Sequence, residues 1–561
     1  MSNETIPELV RALLSRRGIE DEHDIATFLK PDYDLHTHDP FLFRDMQVAL
    51  DRLFHALGSN ERIAIYADFD CDGIPGAAIL ADFFSKIGYT NIETYLPHRD
   101  REGYGFHFDA IDALASRGVK LIITVDVGTT AIDAVAHAKE KGIDVIVTDH
   151  HEIPGALPDA VAVLNPKLEP YPFKGLCGAG VAFKLVQAAL REGKKRKMAS
   201  FADIPDGWEK WLLDLVAIAT VADMVPLVGE NRTLVFWGLQ VLRKSQRAGI
   251  TALCMKARLR KEQLTEDDIG FTIAPRINAA SRMDDPDLAF RLLTTRDPQE
   301  AELLAALLES LNTKRKGAAG AIVREAKRRV RDRFRDDEKV VVLGNPEWKP
   351  ALLGLAANSV VEERGGVVCL WGRDVNGRLK GSCRSDGTFS VVELFTTAKD
   401  SFEEFGGHER SGGFSVSHER VHDLQESLAN AAVGLAASAP ASFTQEVPQY
   451  DHRVTLAEVS RVLFNTISAL APFGIENPKP VLLVEGAIVK TIKKFGKENN
   501  HIEVTLDGAC YAPVRAFDFF RQEDQFSFVP QQGTRANVLA TLERDTFRGG
   551  LALRLVDILN V

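Results

Sequence analysis

The strongest constraint on this chain is an alternation that begins at Arg62, in which short β-prone runs are separated by helical stretches. RIAIYA (62–67) leads through a carboxylate-rich loop into GAAILADFFSKIG, an amphipathic helix closed by Gly88. LIITV (121–125) precedes a helix that runs through Lys141, DVIVT (144–148) follows, and AVAVLN (160–165) reads as a further buried strand. Strands alternating with helices predict βαβ units, and hence an α/β fold with a parallel sheet covered on both faces.

In such a sheet, ligands bind beyond the carboxyl ends of the strands, near the switch in strand order. Asp68, Asp70 and Asp72 follow the first strand in DFDCDG, Asp126 closes the second, and Asp149-His150-His151 closes the third. Asp223, in ATVADMVPL, ends a helix that could return to the same edge. One Asp after a strand is usually a helix cap or turn residue, and that alternative stands for each member taken singly. Three strand ends carrying such groups point instead to a metal site. Hard oxygen ligands with one or two imidazoles suit Mn²⁺ or Mg²⁺, whereas zinc more often recruits cysteine. Cys71 lies within the cluster, but its side chain alternates away from Asp70 and Asp72 and reads as packing. A shared carboxylate can bridge two cations about 3.5–4 Å apart, an arrangement suited to in-line displacement at phosphorus. Phosphoester hydrolysis is the chemistry this predicts.

The rest of the chain extends the architecture. Residues 209–245 read as two helices around the loop Asp223–Asn231, and a long polar-faced helix runs from about Pro298 to Asp332. Its end, REAKRRVRDRFRDD, is charged enough to predict a solvated linker helix, with a nucleic-acid contact as the alternative. A second α/β module begins at KVVVLG (339–344), with strands near 366–371 and 378–383, GGFSV (412–416) and a helix to about Ala437. ASAPASFTQEVPQ (437–449) reads as a linker, and the β-rich segments after it predict a small barrel of oligonucleotide-binding type. The expected divisions are an N-terminal segment (1–50), a catalytic domain (51–235), a helical extension with the connecting helix (236–336), a clamp domain (337–437) and the barrel (450–561). At 561 residues, several cores are required.

Composition places the chain among globular proteins, with 45% hydrophobic and 26% charged residues. No apolar run approaches the roughly 20 residues of a membrane span, and the start lacks a secretion-signal pattern, so no membrane association and a cytoplasmic location are expected. Six cysteines without a CxxC pair read as buried thiols in a reducing compartment. A net charge of -11 argues against coating nucleic acid through bulk positive charge, but bound cations reverse the local sign at a carboxylate site.

TDHH (148–151), DFDCDG, TVDVG (124–128) and ATVAD (219–223) resemble, in order, the motifs of the DHH phosphoesterases. HRDREGYG (98–105), LCGAGVAFKL (176–185), PRINAASR (275–282), GSCRS (381–385), FGGHERSGG (405–413) and APFGIENPKP (471–480) extend the resemblance to the RecJ single-stranded-DNA exonucleases, over nearly all of the chain from about residue 40. The resemblance implies a DHH-type domain, a DHH-associated domain joined to it by the long helix, and an oligonucleotide-binding β-barrel. It implies that Asp70, Asp72, Asp126, His150 and Asp223 hold two divalent cations, with Asp126 bridging, and that Asp68 and His151 support a metal or the scissile phosphate. Arg276, Asn278 and Arg282 would approach that phosphate. Ser382 and Arg384, with Arg99, would form a pocket for a terminal 5′ phosphate, Tyr104 would stack on a base, and Gly407 and His408 would lie along the backbone. Arg suits phosphate oxygens and an aromatic ring accepts any base; a structural ion pair for Arg99 or Arg276, a core ring for Tyr104 and a tight turn for Gly406-Gly407 are the alternatives. The sequence departs from the resembling pattern at Lys349 and Ala351, where His and Gly are common, and at Ser281, where Gly is usual.

The expected activity is therefore metal-dependent 5′→3′ degradation of single-stranded DNA to 5′-mononucleotides in recombination and repair. Short oligoribonucleotides or cyclic dinucleotides are an alternative substrate class, and a ligand-free scaffold is the non-enzymatic alternative. Single-strand-binding protein and a RecQ-type helicase are the partners the resemblance implies. A monomer is expected because no segment reads as a dimer helix.

Overall fold

The computed structural model describes residues 6–153, 155–335, 337–438, 449–496, 499–507, 513–545 and 548–561. Most of the expected linker at 437–449, and Cys510, lie outside these. The five described cysteines are buried and free, and no described helix is long and apolar enough to cross a membrane. The chain forms two compact units, one of 38–225 and 237–441, the other of 1–37, 226–236 and 442–561.

The first unit holds two sheets. Strands β1 (Arg62–Ala67), β2 (Ile92–Tyr95), β3 (Val119–Val125), β4 (Asp144–Thr148) and β5 (Ala162–Leu164) are ordered β2-β1-β3-β4-β5, all parallel. The sequence reading did not single out β2, IETY, because it is short and every residue of it is only half-buried. β1 is buried at five of its six positions, as expected of a continuous apolar run covered on both faces. The chain leaves β1 toward β2 and then crosses to β3, so the order reverses between β1 and β3. That gap is where a doubly wound sheet binds its ligand.

The second sheet is ordered β6 (Val340–Gly344), β7 (Val367–Arg373), β8 (Leu379–Ser385), β10 (Ser411–Val416), β9 (Glu404–Gly407). The connecting helix spans Pro298–Arg333, with Asp297 accepting the Gln299 amide at its start. Its charged end departs from the expected solvated linker. Ile322, Ala326 and Val330, four residues apart, are buried in one core with Val341, Leu352 and Leu370, while the arginines take the other faces.

In the second unit, β12 (Leu482–Phe495), β13 (His501–Asp507), β14 (Val514–Phe519), β16 (Leu551–Leu559) and β15 (Arg535–Arg544) pair in that order, and β12 also pairs with β15. The sheet therefore closes as 1-2-3-5-4-1, the strand order of an oligonucleotide-binding barrel. β11 (His452–Val454) adds in parallel to β12. Val10, Leu13, Leu14, Ile25 and Phe28 of the N-terminal segment share the barrel's core with Leu482, Val484 and Ile558. Buried Arg232 stitches this discontinuous unit together by donating to the carbonyls of Phe28, Leu470, Ala471 and Pro472.

Candidate metal centre

Each strand that meets the β1/β3 gap delivers a carboxylate, and helix starts fix Asp70 and Asp72. Asp70 Oδ1 accepts the amides of Asp72 (2.8 Å) and Gly73 (3.1 Å), opening the helix Gly73–Lys86. The Asp72 oxygens accept the amides of Gly178 (2.6 Å) and Ala179 (2.7 Å), the first turn of the helix Gly178–Lys195. Those N–H groups and the helix dipole favour the anion there. Asp126 follows β3 in the left-handed region, at φ 60°, which Asp and Asn adopt more readily than other residues that carry a Cβ.

Two glycines make this crowding possible. A Cβ on Gly178 would lie 2.6 Å from the Asp126 Cβ, and one on Gly73 would lie 2.3 Å from the Asp68 carbonyl oxygen. We expect Gly178→Ala to cost about 1–3 kcal/mol of stability through overpacking and to lower any activity of the site by displacing Asp126. Thermal melting and hydrolysis measured together check this; unchanged activity would mean that Asp126 need not stand where it does.

The two adjacent histidines are shifted in opposite directions. His150 Nε2 lies 3.1 Å from Asp126 Oδ1, 3.6 Å from Asp223 Oδ2 and 3.7 Å from Asp72 Oδ2. Burial, reinforced by the charge of His151, lowers its pKa to about 4, so it stands as the neutral imidazole a metal requires. His151 Nδ1 instead lies 2.7 Å from Asp149 Oδ1. Burial works against the His151 cation, but the hydrogen bond and charge of Asp149 outweigh it and raise the pKa. Asp149 responds in kind. Burial raises its carboxyl, while His151 and the Thr129 amide (2.8 Å) hold it below the usual range. Asn165 completes the support by donating to Thr129 Oγ1 and to the His151 carbonyl.

Four of the carboxylates resist ionisation. Burial, and then the charge of Asp70, raises Asp72 to about 6. Burial followed by neighbouring carboxylates also raises Asp68, Asp126 and Asp223. Asp68 Oδ1 and Asp126 Oδ1 are buried acceptors without a hydrogen-bond donor. Three groups of ligand atoms, each within 4.8 Å of one another, overlap here: Asp72 with His150 and Asp223, Asp68 with Asp70 and Asp126, and Asp126 with His150 and His151. Repelling carboxylates, orphaned oxygens and a neutral imidazole fit divalent cations, with Asp126 in the shared position.

A second charge cluster adjoins the first. Arg282 is pushed down to about 9 by burial and by the charges of Arg99 and Arg315, with Asp70 opposing and Arg384 adding to the fall, and it remains cationic at neutral pH. Its Nη1 donates to the Ala351 carbonyl at 2.6 Å. The Arg99 guanidinium lies over the Phe69 ring, 4.8 Å from its centroid, and Arg384 Nη1 donates to the Cys383 carbonyl. Guanidinium groups gathered beside carboxylates make a site for phosphate.

The DHH family N-terminal domain matches residues 62–220, the DHHA1 domain 337–434 and the RecJ OB domain 450–556. The single-stranded-DNA-specific exonuclease RecJ of Bacillus subtilis is 34% identical over 96% of the chain, which spans 66% of that relative. The RecJ exonuclease of Salmonella typhimurium is 32% identical over 98% of the chain and 95% of its own length. The chain belongs to the RecJ family. The crystal structure of Thermus thermophilus RecJ in complex with Mn²⁺ superposes with a TM-score of 0.77 at 27% identity, covering 99% of this chain and 76% of that one.

In this RecJ-family chain, the eight residues Asp68, Asp70, Asp72, Asp126, His150, His151, Asp223 and Tyr104 meet at one edge of the sheet. The Tyr104 hydroxyl is 3.2 Å from His151 Nδ1, and the residue is half exposed. Two residues expected at the phosphate have other partners. Arg276 Nε is 2.6 Å from Glu309, and its Nη1 donates to the Thr272 carbonyl, the ion-pair alternative raised above. Asn278 Oδ1 accepts the Cys71 amide and so braces the carboxylate loop. Ser382 and Arg384 lie on β8, whereas Gly407 and His408 are at the exposed β9–β10 hairpin, where the His408 amide donates to Ser411. A Cβ on Gly407, at φ 155°, would meet the Ser411 carbonyl at 2.3 Å, so this position is also built as a tight turn.

Three contributors to the site show their roles only in the fold. Asp149 closes β4 among the candidate ligands, yet it hydrogen-bonds His151 Nδ1 and raises that imidazole's pKa. Gly178 stands in LCGAGVAFKL without a role of its own until the fold sets it against Asp126. Arg315, on the connecting helix, has a buried Nε without a hydrogen-bond partner beside Arg276 and Arg282. Only the fold brings it there.

Proposed function

We infer that the protein is a divalent-metal-dependent exonuclease that degrades single-stranded DNA from its 5′ end to 5′-mononucleotides, in recombination and repair. The observation that carries this is the pair of overlapping ligand groups sharing Asp126 beside an arginine cluster. When bound, Mn²⁺ or Mg²⁺ supplies an activated water and stabilises the charge on both oxygens of the displacement. Asp70, Asp72, Asp126, His150 and Asp223 would hold the two cations, and Asp68 would add an oxygen. His151, whose pKa Asp149 raises, hydrogen-bonds a non-bridging oxygen of the scissile phosphate. Arg282 neutralises the same phosphate, with Arg315 beside it, while Arg276 and Asn278 hold the walls. Tyr104 offers its ring to a base, a contact indifferent to sequence.

Ser382, Arg384 and Arg99 take the terminal 5′ phosphate, and Gly407 with His408 lets the strand run past the β9–β10 hairpin. Arg384→Met should lower kcat/KM on 5′-phosphorylated strands about tenfold or more, toward the value for 5′-hydroxyl strands. An equal loss on both substrates would remove Arg384 from the phosphate pocket.

This reading also takes the enzyme as a cytoplasmic monomer acting beside single-strand-binding protein and a RecQ-type helicase. Size-exclusion chromatography with light scattering tests the monomer, and pull-down with each purified partner tests the association. The substrate is tested by offering a long 5′-phosphorylated single strand, the matching duplex and a dinucleotide with Mn²⁺. Preference for the long single strand is expected; preference for the dinucleotide would replace this reading.

A further inference from the structure

The loop 98–105 carries Arg99 and Tyr104, and its base is held from within the catalytic domain. Glu102 accepts the His98 amide (2.6 Å) and the Tyr95 hydroxyl (2.6 Å). Its tip is held from the DHHA1 domain. Lys349 Nζ lies 2.9 Å from Asp100 Oδ2, with the Asp100 side chain only 14% exposed. Asn376 Nδ2 adds a longer contact of 3.4 Å to the Arg101 carbonyl. Within the tip the amides of Arg101 and Glu102 donate to the His98 carbonyl and Gly103 turns at φ 87°, so the turn closes on its own base and its outer side is met by Lys349 and Asn376. Lys349 itself is well anchored, because it immediately precedes the helix Pro350–Arg364. That helix receives Arg282 at the Ala351 carbonyl and has Arg384 against Gly354, where an added Cβ would lie 2.6 Å from Nη2.

We propose that the Lys349–Asp100 ion pair is an interdomain latch, through which the DHHA1 domain seats the loop bearing Arg99 and Tyr104 against the metal centre. Lys349 and Asp100 are then positioning residues. The Asp100 carboxylate meets Lys349 of the DHHA1 domain, while its neighbour Arg99 lies over Phe69. Breaking the pair releases the loop tip, so Arg99 and Tyr104 are no longer preorganised for the strand, which loses affinity before it loses turnover. The effect on substrate rests on the exonuclease reading above; the effect on the loop does not.

The test is a charge-reversal cycle in the full chain, with Lys349→Glu, Asp100→Lys and the double variant, and Lys349→Arg as the conservative control. Amide hydrogen exchange over residues 98–105 reports the latch directly. Each reversal should speed exchange of that segment about fivefold, and the double variant and Lys349→Arg should restore it. On 5′-phosphorylated strands the single variants should raise KM by about the same factor, with a smaller change in kcat, and the double variant should recover most of the loss. Exchange that is the same in all four variants overturns the latch, as does a KM that ignores the rescue. If the wild-type protein digests no strand at all, the nuclease reading fails and the exchange rates alone still decide the latch.

Discussion

Asp126→Asn should abolish strand degradation, by about a thousandfold or more in kcat, comparable to or beyond the loss of a principal transition-state contact. Asn is the informative replacement because Asp126 sits at φ 60°, a conformation Asn adopts as readily as Asp, so the backbone and the Gly178 contact stay as they are. Only the shared charge disappears. The same substitution should leave the metal-free protein at pH 8 as stable as the wild type or more so. The Asp126 carboxylate is destabilised by burial and by Asp72, Asp70 and Asp223, and the variant is relieved of that repulsion. Hydrolysis within tenfold of wild type would remove Asp126 from the shared position. A collapsed melting temperature would mean that its role is structural.

The second large effect is a pH-dependent stabilisation by Mn²⁺. Asp72 rises from 3.8 to about 6 in the folded protein, and Asp68, Asp126 and Asp223 rise as well. A carboxyl with a raised folded pKa binds more protons folded than unfolded. Its contribution is therefore fully present below 3.8 and is lost as pH climbs through the folded value, about 6 for Asp72. Metal-free protein should lose this component of stability between about pH 4 and 7. Asp149 acts in the opposite sense, because its lowered pKa gives a contribution present above its unfolded value and lost on acidification below it. Cations replace the protons, so the Mn²⁺ increment should be small at pH 5 and large at pH 8, about 2.7 kcal/mol at a hundredfold excess over Kd. Thermal melting with and without Mn²⁺ across that range measures it. An increment independent of pH would mean that Mn²⁺ binds elsewhere.

Much of the site was legible because strand ends announce themselves. RIAIYA, LIITV and DVIVT are apolar runs that stop at Asp68, Asp126 and Asp149, and a parallel sheet brings such ends to one edge. What was not legible depends on which atoms meet across the fold. Arg276 and Arg282 look alike in PRINAASR, yet Glu309, 33 residues further along, claims one of them and leaves the other beside Asp70. Lys349 reads as a departure from a pattern until Asp100 is seen opposite it. The N-terminal helices carry an ordinary amphipathic stripe, and nothing in it says that the stripe completes the core of a barrel more than 400 residues away. The charged end of the connecting helix misled for a related reason, since three apolar residues spaced by four suffice to bury one face.

The most direct measurement is a Mn²⁺ titration of metal-free protein against a long single strand, labelled in parallel at its 5′ or its 3′ end. No release is expected without metal, and on addition a labelled mononucleotide is the first product from the 5′-labelled strand, with the 3′ label freed last. Degradation that persists in chelator, or release that begins at the 3′ end, would contradict it.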